Sequence, residues 1–189
     1  MSAARRASRP GNPLRKQTIT LADGRQLVVR PIDARDAGPI SASFQLLHED
    51  EVRRRFLHIL KALGEEHLHH LTHPEPGREF VVVAAEPLPP GDALVGAVAR
   101  LACNQEDGSR AEFGLLVSHF VSGLGLGRRL MERLVQWSTQ HQVSELWGDV
   151  MDDNSAMLEL AGKLGFRKEA IIGSPGLVRI RLQIAATVR

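Results

Sequence analysis

Three glycines at alternate positions, Gly123, Gly125 and Gly127, precede a segment with helical periodicity, and Arg128 and Arg129 follow them. Glycine lets the backbone approach a ligand closely, and the free N–H groups at the start of a helix favour an anion. Arginines in a first turn oppose the helix dipole, and a bound phosphate would offset that cost. The spacing therefore predicts an anion-binding loop, with an ordinary glycine turn into a helix as the alternative.

Two known phosphate-binding patterns can be compared with this loop. A Walker loop requires a Lys-Ser or Lys-Thr pair after its glycines, and no such pair follows here. A dinucleotide-binding fingerprint requires a third glycine where Leu130 stands, although Asp149 lies at a suitable distance for a ribose contact. The Walker pattern is therefore absent and the dinucleotide pattern is incomplete.

The apolar periodicity predicts the elements that hold this loop. Strands are predicted over 18–21, 26–30, 79–85, 94–103, 110–118, 145–150, 166–172 and 177–184, and helices over 33–63, 65–71, 124–141 and 155–164. Three strands in an antiparallel meander lead into the loop, and the next strand follows a helix. This order predicts the α/β class, with one mixed sheet and helices on both of its faces.

Composition indicates a single domain preceded by a basic leader. The chain has 189 residues, of which 43% are hydrophobic and 24% charged. Residues 1–16 hold five basic side chains and no acidic one, and removing these five changes the formal charge from +2 to −3. The leader is predicted to be disordered, with a transit peptide as the alternative. Because the basic excess lies there, the predicted domain over 17–189 does not indicate nucleic-acid binding.

Several other classes are not indicated by the residues. Cys103 is the one cysteine, which excludes an internal disulfide framework and is typical of the reducing cytoplasm. No apolar run approaches the ~20 residues that a transmembrane helix needs, so no membrane partner is predicted. His69 and His73 have a spacing that can hold a metal, but no further ligand pattern accompanies them, and no metal is predicted. Arg53 to Arg55 read as a solvated helix face, with a docking site for an acidic protein as the alternative.

The glycine loop and a second block together resemble the GNAT superfamily of acyl-CoA-dependent N-acyltransferases. Residues 117–129 look like the family's strand-loop-helix motif, Gln/Arg-x-x-Gly-x-Gly/Ala, with Ser122 where Gln or Arg is more common. The second block comprises residues 154–157 and 163–167. The resemblance covers about residues 26–184 and implies a mainly antiparallel sheet with one splayed parallel strand pair.

A finer resemblance concerns the bacterial protein lysine acetyltransferases of the Pat type. Residues 30–32, 71–73 and 111–113 and the block around Met157 look most like their acetyltransferase domain. Those enzymes usually carry an additional regulatory domain, and this chain has no room for one. The finer resemblance implies a protein lysine as the acceptor.

The GNAT resemblance implies acetyl-CoA as the co-substrate and assigns residues to it. The coenzyme pyrophosphate would bind the backbone N–H groups of the loop, which comprises Gly123, Leu124, Gly125, Leu126, Gly127 and Arg128. The pantetheine arm would pair with the backbone of Leu116 and Val117 between the splaying strands. Asn154 would lie near the pantetheine or start the last helix, and a simple N-cap is the alternative.

The chemistry needs a neutral amine to attack a thioester. A free lysine amine has a pKa near 10.4, so about one in two thousand is neutral at pH 7 and a base is useful. The resemblance points to Glu112 as that base, acting directly or through a water; a solvent-facing strand glutamate is the alternative, and Glu86 and Asp149 are the other candidates. Many family members protonate the leaving thiolate with a tyrosine, but Ala161 occupies that position and the chain contains no tyrosine. Water could protonate the thiolate instead.

We therefore expect a single-domain, cytoplasmic N-acetyltransferase that is a monomer or a homodimer. It would transfer the acetyl group of acetyl-CoA to a primary amine by direct attack in a ternary complex. The acceptor is either a protein lysine or a small-molecule amine. A catalytically weak acyl-CoA-binding sensor is the alternative from a different class of function.

Overall fold

The described part of the chain folds around one mixed sheet. The structure is a computed structural model, and it describes residues 12–58, 60–106 and 108–185. The strands are β1 (Gln17–Thr20), β2 (Gln26–Pro31), β3 (Glu79–Ala85), β4 (Val95–Cys103), β5 (Arg110–Val117), β6 (Glu145–Met151), β7 (Arg167–Ala170) and β8 (Leu177–Gln183). The helices are α1 (Ala37–Phe44), α2 (Glu49–Phe56), α3 (Glu65–Thr72), α4 (Leu126–Gln140) and α5 (Ser155–Lys163), with short 3-10 turns at Ala34–Asp36 and His119–Val121.

The strand order brings β5 and β6 side by side within the sheet. The order is β1-β2-β3-β4-β5-β6-β8-β7. The β5–β6 pair is parallel, and every other neighbouring pair is antiparallel. A parallel pair needs a crossover connection, which α4 supplies. The arrangement confirms the predicted mixed sheet with one parallel pair.

Helices cover both faces of the sheet, as the sequence predicts. Leu130 and Leu134 of α4 are fully buried on one face, and Ile40 of α1 packs with Leu71 of α3 on the other. Strand β3 lies between the two cores and is buried on both faces, which explains its unbroken apolar sequence. None of the described helices is long and apolar enough to cross a membrane.

Two helix boundaries differ from the predictions. The helical spacing continues to Leu63, yet α2 ends at Phe56 because Leu57 adopts a left-handed conformation with φ of 62°. The helix predicted from Leu124 begins at Leu126, since Gly125 is its N-cap with φ of 80°. In each case one residue with a positive φ sets the helix boundary. Apolar periodicity contains no information about such a backbone conformation.

Part of the predicted leader lies against α4. Residues 1–11 lie outside the described residues. The Arg133 guanidinium donates hydrogen bonds to the carbonyl oxygens of Asn12, Pro13 and Arg15 at 2.8–3.0 Å, and to Gln17 Oε1 at 3.1 Å. Burial lowers the pKa of Arg133, and the charge of Arg15 lowers it further. One side chain of α4 thus holds the chain that enters β1.

Candidate active site

A gap opens between the two parallel strands of the sheet. Strand β5 pairs with β6 only from Arg110 to Glu112, opposite Glu145 to Trp147. Beyond this point β5 stays paired with β4 up to Val117, and β6 stays paired with β8. The two strands therefore diverge from Phe113 onward, which leaves one edge of β5 without a strand partner.

The side chain of Phe113 and the absence of one at Gly148 shape the start of the gap. A Cβ at position 148 would lie 3.0 Å from the Phe113 ring and 3.1 Å from the Phe113 carbonyl oxygen. The same ring packs edge-on against Phe166, with 5.4 Å between the ring centroids. A side chain at position 148 would therefore displace Phe113 at the point where the strands separate.

The direction of each backbone group in β5 follows from its hydrogen bonds with β4. The Asn104 N–H donates to the Arg110 carbonyl at 2.8 Å, and the Ser118 N–H donates to the Gly96 carbonyl at 2.9 Å. Because backbone groups alternate in direction along a strand, Leu116 also faces β4, whereas Leu115 and Val117 face the gap. Of the predicted pantetheine contacts, Val117 thus offers its backbone to the gap. Leu116 instead contributes its side chain to a cavity on one face of the sheet.

Leu115 is not among the coenzyme contacts predicted from the sequence. The alternation of apolar residues in β5 indicates which face a side chain occupies, but it does not indicate which edge of the strand is open. That edge is known only once β4 and β6 are in place.

The glycine loop lies at the end of β5 and starts α4. Gly123 and Gly125 adopt left-handed conformations, with φ of 74° and 80°, which favour glycine. Gly125 is the N-cap of α4 without a side-chain cap, and the first turn has no acidic residue. As at any helix start, the N–H groups of the first turn have no partner within the helix. A Cβ at Gly127 would lie 3.2 Å from Leu160 of α5, so the helix begins close to its neighbours.

The two arginines of the loop are exposed. Arg128 Nε donates to Glu132 at 2.8 Å one turn further along α4. This exposed ion pair contributes little to stability, so Arg128 is available to an anion at modest cost. No ion pair or hydrogen bond joins the Arg129 side chain to the described residues.

Glu112 is the last residue of β5 before the gap. Its side chain is exposed and has no hydrogen bond or ion pair with the described residues. Asp149, one alternative base, accepts two hydrogen bonds from Arg179 at 2.7 and 2.8 Å. Glu86, the other alternative, accepts the Leu94 N–H at 3.1 Å in the connection after β3. Of the three carboxylates, Glu112 is thus the unengaged one.

Asn154 begins α5. Its Oδ1 accepts the Met157 N–H at 3.2 Å, which makes it the N-cap of the helix. The side-chain oxygen is therefore already engaged, and the amide N–H groups are the part of Asn154 that could contact a ligand.

A cavity lies on the face of the sheet that α1, α2 and α3 cover, and on β5 it reaches Leu116. It encloses about 540 Å³, including its open mouth. Most of its walls are apolar, with Ile40, Phe44, Leu63, Leu71 and Leu116 among the lining residues. Two titratable side chains, Arg55 and His67, line the same space.

Arg55 lies directly against β5. A Cβ at Gly114 would lie 2.5 Å from Arg55 Cζ, so glycine is required there if the guanidinium is to stay in place. Burial lowers the pKa of Arg55, the charge of Arg100 lowers it further, and Glu112 partly offsets both effects. The prediction that Arg53 to Arg55 form a solvated face is wrong for Arg55, because its place in α2 turns it toward the sheet.

Hydrogen bonds tie α2 to the approach of the glycine loop. The His119 N–H donates to Glu51 Oε1 at 2.6 Å, and His119 Nδ1 lies 2.8 Å from Glu51 Oε2. The His48 N–H donates to the same carboxylate at 2.7 Å. Burial raises the pKa of Glu51, but these hydrogen bonds outweigh it and the pKa is lowered overall. The helix that carries Arg55 is therefore held to the loop that follows β5.

Comparison with known proteins gives one consistent result. The family model of the acetyltransferase (GNAT) domain matches residues 26–167. The GNAT domain of S. lividans PAT is similar in structure, with a TM-score of 0.78 and 19% identity, over 89% of this chain and 96% of that one. Salmonella typhimurium yncA, solved with its cofactor acetyl-CoA, has a TM-score of 0.64 and 19% identity, over 86% and 96% of the two chains.

A third similar structure is longer. It is a cAMP-binding acyltransferase from Mycobacterium smegmatis, with a TM-score of 0.61 and 21% identity. The match covers 92% of this chain and 48% of that one, so this chain spans about half its length. At these identities the three structures share the fold.

Proposed function

This chain belongs to the GNAT acetyltransferase family, whose members use acetyl-CoA as co-substrate, and we propose that it acetylates a primary amine by direct attack in a ternary complex. One observation carries the proposal: the gap between β5 and β6 leads from the exposed Glu112 to the glycine loop. The unpaired edge of β5 beside the gap can accept an extended pantetheine arm, and the far end of the gap offers helix N–H groups to a pyrophosphate.

The coenzyme contacts follow from the backbone directions. The pyrophosphate would accept N–H groups of the loop and of the first turn of α4, with Arg128 adding positive charge at its edge. The pantetheine amides would pair with the backbone of Leu115 and Val117, like an added strand. Leu116 would act through its side chain, and the Asn154 amide would contact the arm from α5.

Glu112 is the proposed general base. The amine loses a proton to Glu112, its nitrogen forms a bond with the thioester carbonyl carbon, and the C–S bond then breaks. The coenzyme leaves as a thiolate, which takes a proton from water because Ala161, where the resemblance expects a tyrosine, is buried and cannot donate one. The pKa of a thiol is near 8.5, so the thiolate is a tolerable leaving group.

The absence of tyrosine from the chain favours a second candidate, a weakly catalytic acyl-CoA sensor. The protein acceptor implied by the resemblance, a lysine side chain, and a small-molecule amine both remain compatible with an acetyltransferase.

The test combines calorimetry with turnover. Acetyl-CoA should bind saturably, with NAD as the control ligand, and amines should be acetylated. Glu112→Gln should keep its affinity for acetyl-CoA and lose about 100-fold or more in kcat/KM, the usual contribution of a general base. Glu86→Gln, a neutral replacement in the connection after β3, is the matched control and should retain activity.

Each outcome decides between the candidates. Full activity in Glu112→Gln would reject the base. Binding of acetyl-CoA without turnover in the unmodified protein would favour the sensor. Failure to bind acetyl-CoA at millimolar concentration would reject the proposed function.

A further inference from the structure

The guanidinium of Arg55 has one acidic side chain near it, Glu112, whose charge raises the pKa of Arg55 without a direct ion pair. The guanidinium makes no hydrogen bond or ion pair with the described residues. It makes a cation–π contact with the Phe56 ring, with Arg55 Cζ 4.9 Å from the ring centroid. Arg100 of β4 stands directly opposite Gly114, against which Arg55 lies. Two guanidinium groups therefore lie on the same small area of the sheet.

Arg100 has a direct acidic partner, whereas the charge of Glu112 acts on Arg55 only from beyond ion-pair distance. A carboxylate oxygen of Glu79 pairs with Arg100 Nη2. Arg100 Nε is buried and has no hydrogen-bond partner within the described residues. A partly buried charge without a partner is costly, and a guanidinium presents a planar fork of donors that fits a carboxylate. One unpaired positive charge thus faces the cavity.

The groups along β5 occur in a regular order on this face. Glu112, Gly114 and Leu116 are alternate residues, so they project to the same side at intervals of about 6.6 Å. The first is an unengaged carboxylate, the second is covered by the Arg55 guanidinium, and the third borders the apolar cavity. A carboxylate, a guanidinium and an apolar space therefore follow one another along β5.

We propose that the acceptor is a free α-amino acid with an apolar side chain. This rests on the proposed function and names the substrate class of the same site. The carboxylate binds Arg55, the ammonium group lies beside Glu112, and the side chain enters the cavity. The ammonium group transfers one proton to Glu112, and the neutral nitrogen then bonds to the thioester carbonyl carbon. The C–S bond breaks, the nitrogen releases its second proton to water, and the coenzyme leaves as a thiolate that takes a proton from water. The product is an N-acetylamino acid, and the carboxylate is unchanged.

The walls of the cavity favour an apolar side chain over a cationic one. Burial lowers the pKa of His67, and the charges of Arg55 and Arg100 lower it further. His67 is therefore neutral at pH 7, and the described residues that line the cavity include no acidic one to receive a cationic side chain. A protein lysine would also leave the Arg55 charge unpaired.

The experiment compares amines that differ only by the carboxylate. The pairs are L-leucine with isoamylamine and L-phenylalanine with phenethylamine, and L-leucinamide and a lysine-containing peptide complete the panel. The unmodified protein should prefer each amino acid over its decarboxylated partner by about 10- to 100-fold in kcat/KM, the range for one charge-assisted hydrogen-bonded pair. The preference should appear mainly in KM for the amino acid.

Variants identify Arg55 as the source of the preference. Arg55→Gln should abolish it by lowering kcat/KM for L-leucine about 10- to 100-fold more than kcat/KM for isoamylamine, with the affinity for acetyl-CoA measured separately. Gly114→Ala should have the same effect, because the new Cβ would displace the guanidinium. Arg54→Gln, the exposed neighbour in α2, is the matched control and should keep the preference. Thermal unfolding should show that Arg55→Gln folds, since it removes an unpaired charge.

A higher kcat/KM for the lysine peptide, L-leucinamide or isoamylamine than for L-leucine would overturn the inference. An equal loss of kcat/KM on an amino acid and on its decarboxylated partner in Arg55→Gln would also overturn it. In those cases amine acetylation itself would stand, so the proposed function would survive. If acetyl-CoA binds and no amine is acetylated, calorimetric titration of L-leucine into the CoA-bound protein decides. Absence of binding there overturns the inference, and binding that requires Arg55 supports it.

Discussion

Arg30 and Asp36 form a buried ion pair just before α1. Removing Arg30 tests how much a buried carboxylate costs when it loses its partner. Arg30 Nη1 and Nη2 donate to the two oxygens of Asp36 at 2.7 and 2.8 Å, and Asp36 is 0% exposed. The Asp33 N–H also donates to Asp36, at 2.8 Å. Arg30→Met keeps much of the volume but leaves the carboxylate with this single donor.

The cost is expected to be large because the remaining charge is buried. Breaking a buried pair by removing one partner typically costs about 3–5 kcal/mol, so we expect the free energy of unfolding of Arg30→Met to fall by that amount. Arg30→Met/Asp36→Leu should recover about 1–3 kcal/mol of the loss, because it removes the stranded charge. The double variant should stay below the unmodified protein, since Asp36 also accepts the Asp33 N–H at the start of the 3-10 turn.

Urea unfolding followed by tryptophan fluorescence measures these differences, because Trp137 is buried in α4 and Trp147 is half-buried in β6. Arg35→Met is the control: Arg35 pairs with Asp33 at 2.8 Å, but its side chain is 65% exposed, so its loss should cost less than about 1 kcal/mol. An Arg30→Met variant that loses no more stability than Arg35→Met would refute the reasoning about the buried charge.

Two further substitutions test the gap and the loop. Gly148→Ala should lower the free energy of unfolding by about 1–3 kcal/mol, because its Cβ would meet Phe113, and it should weaken acetyl-CoA binding in calorimetry. Gly162 is an exposed helical glycine with no atom within 4 Å of a new Cβ, so Gly162→Ala should instead raise the free energy of unfolding by about 0.5–1 kcal/mol. Equal effects of the two substitutions would contradict the proposed contact between position 148 and Phe113. The pKa of Glu51 is lowered on folding, so its ionised form stabilises the protein above the ordinary glutamate pKa of 4.5, and that contribution is lost as pH falls through the lower folded value. Unfolding of the unmodified protein and Glu51→Gln should therefore differ most near pH 7 and converge in acid; a constant difference would show that the His119 bonds do not depend on the Glu51 charge.

The sequence was sufficient for the features that depend on local patterns. Apolar periodicity identified the order of strands and helices, and the alternate glycines located the loop at the start of α4. The alternation of Val178 and Ile180 with charged neighbours identified β8 as a half-buried strand. Such patterns are local, because each depends on the geometry of a few consecutive residues.

One long-range feature was also predicted, the parallel strand pair that splays. That prediction came from the resemblance of residues 117–129 and 154–167 to the GNAT superfamily. Periodicity alone contains no information about where β5 and β6 separate, because that point depends on Phe113 meeting Gly148, 35 positions away in the chain. The open edge of β5, which offers Leu115 and Val117 to the gap, depends on the same pairing.

Arg55 shows the limit most clearly. In sequence it is one of three consecutive arginines after three acidic residues, which is the pattern of a solvated helix. In the fold, Arg53 pairs with Asp153 at 3.4 Å and Arg54 is exposed, while Arg55 lies against Gly114. The local sequence is sufficient to place these three charges on α2. Which of them faces the cavity depends on how α2 is rotated against β5, whose Gly114 lies 59 positions after Arg55, and only the packing of the folded chain fixes that rotation.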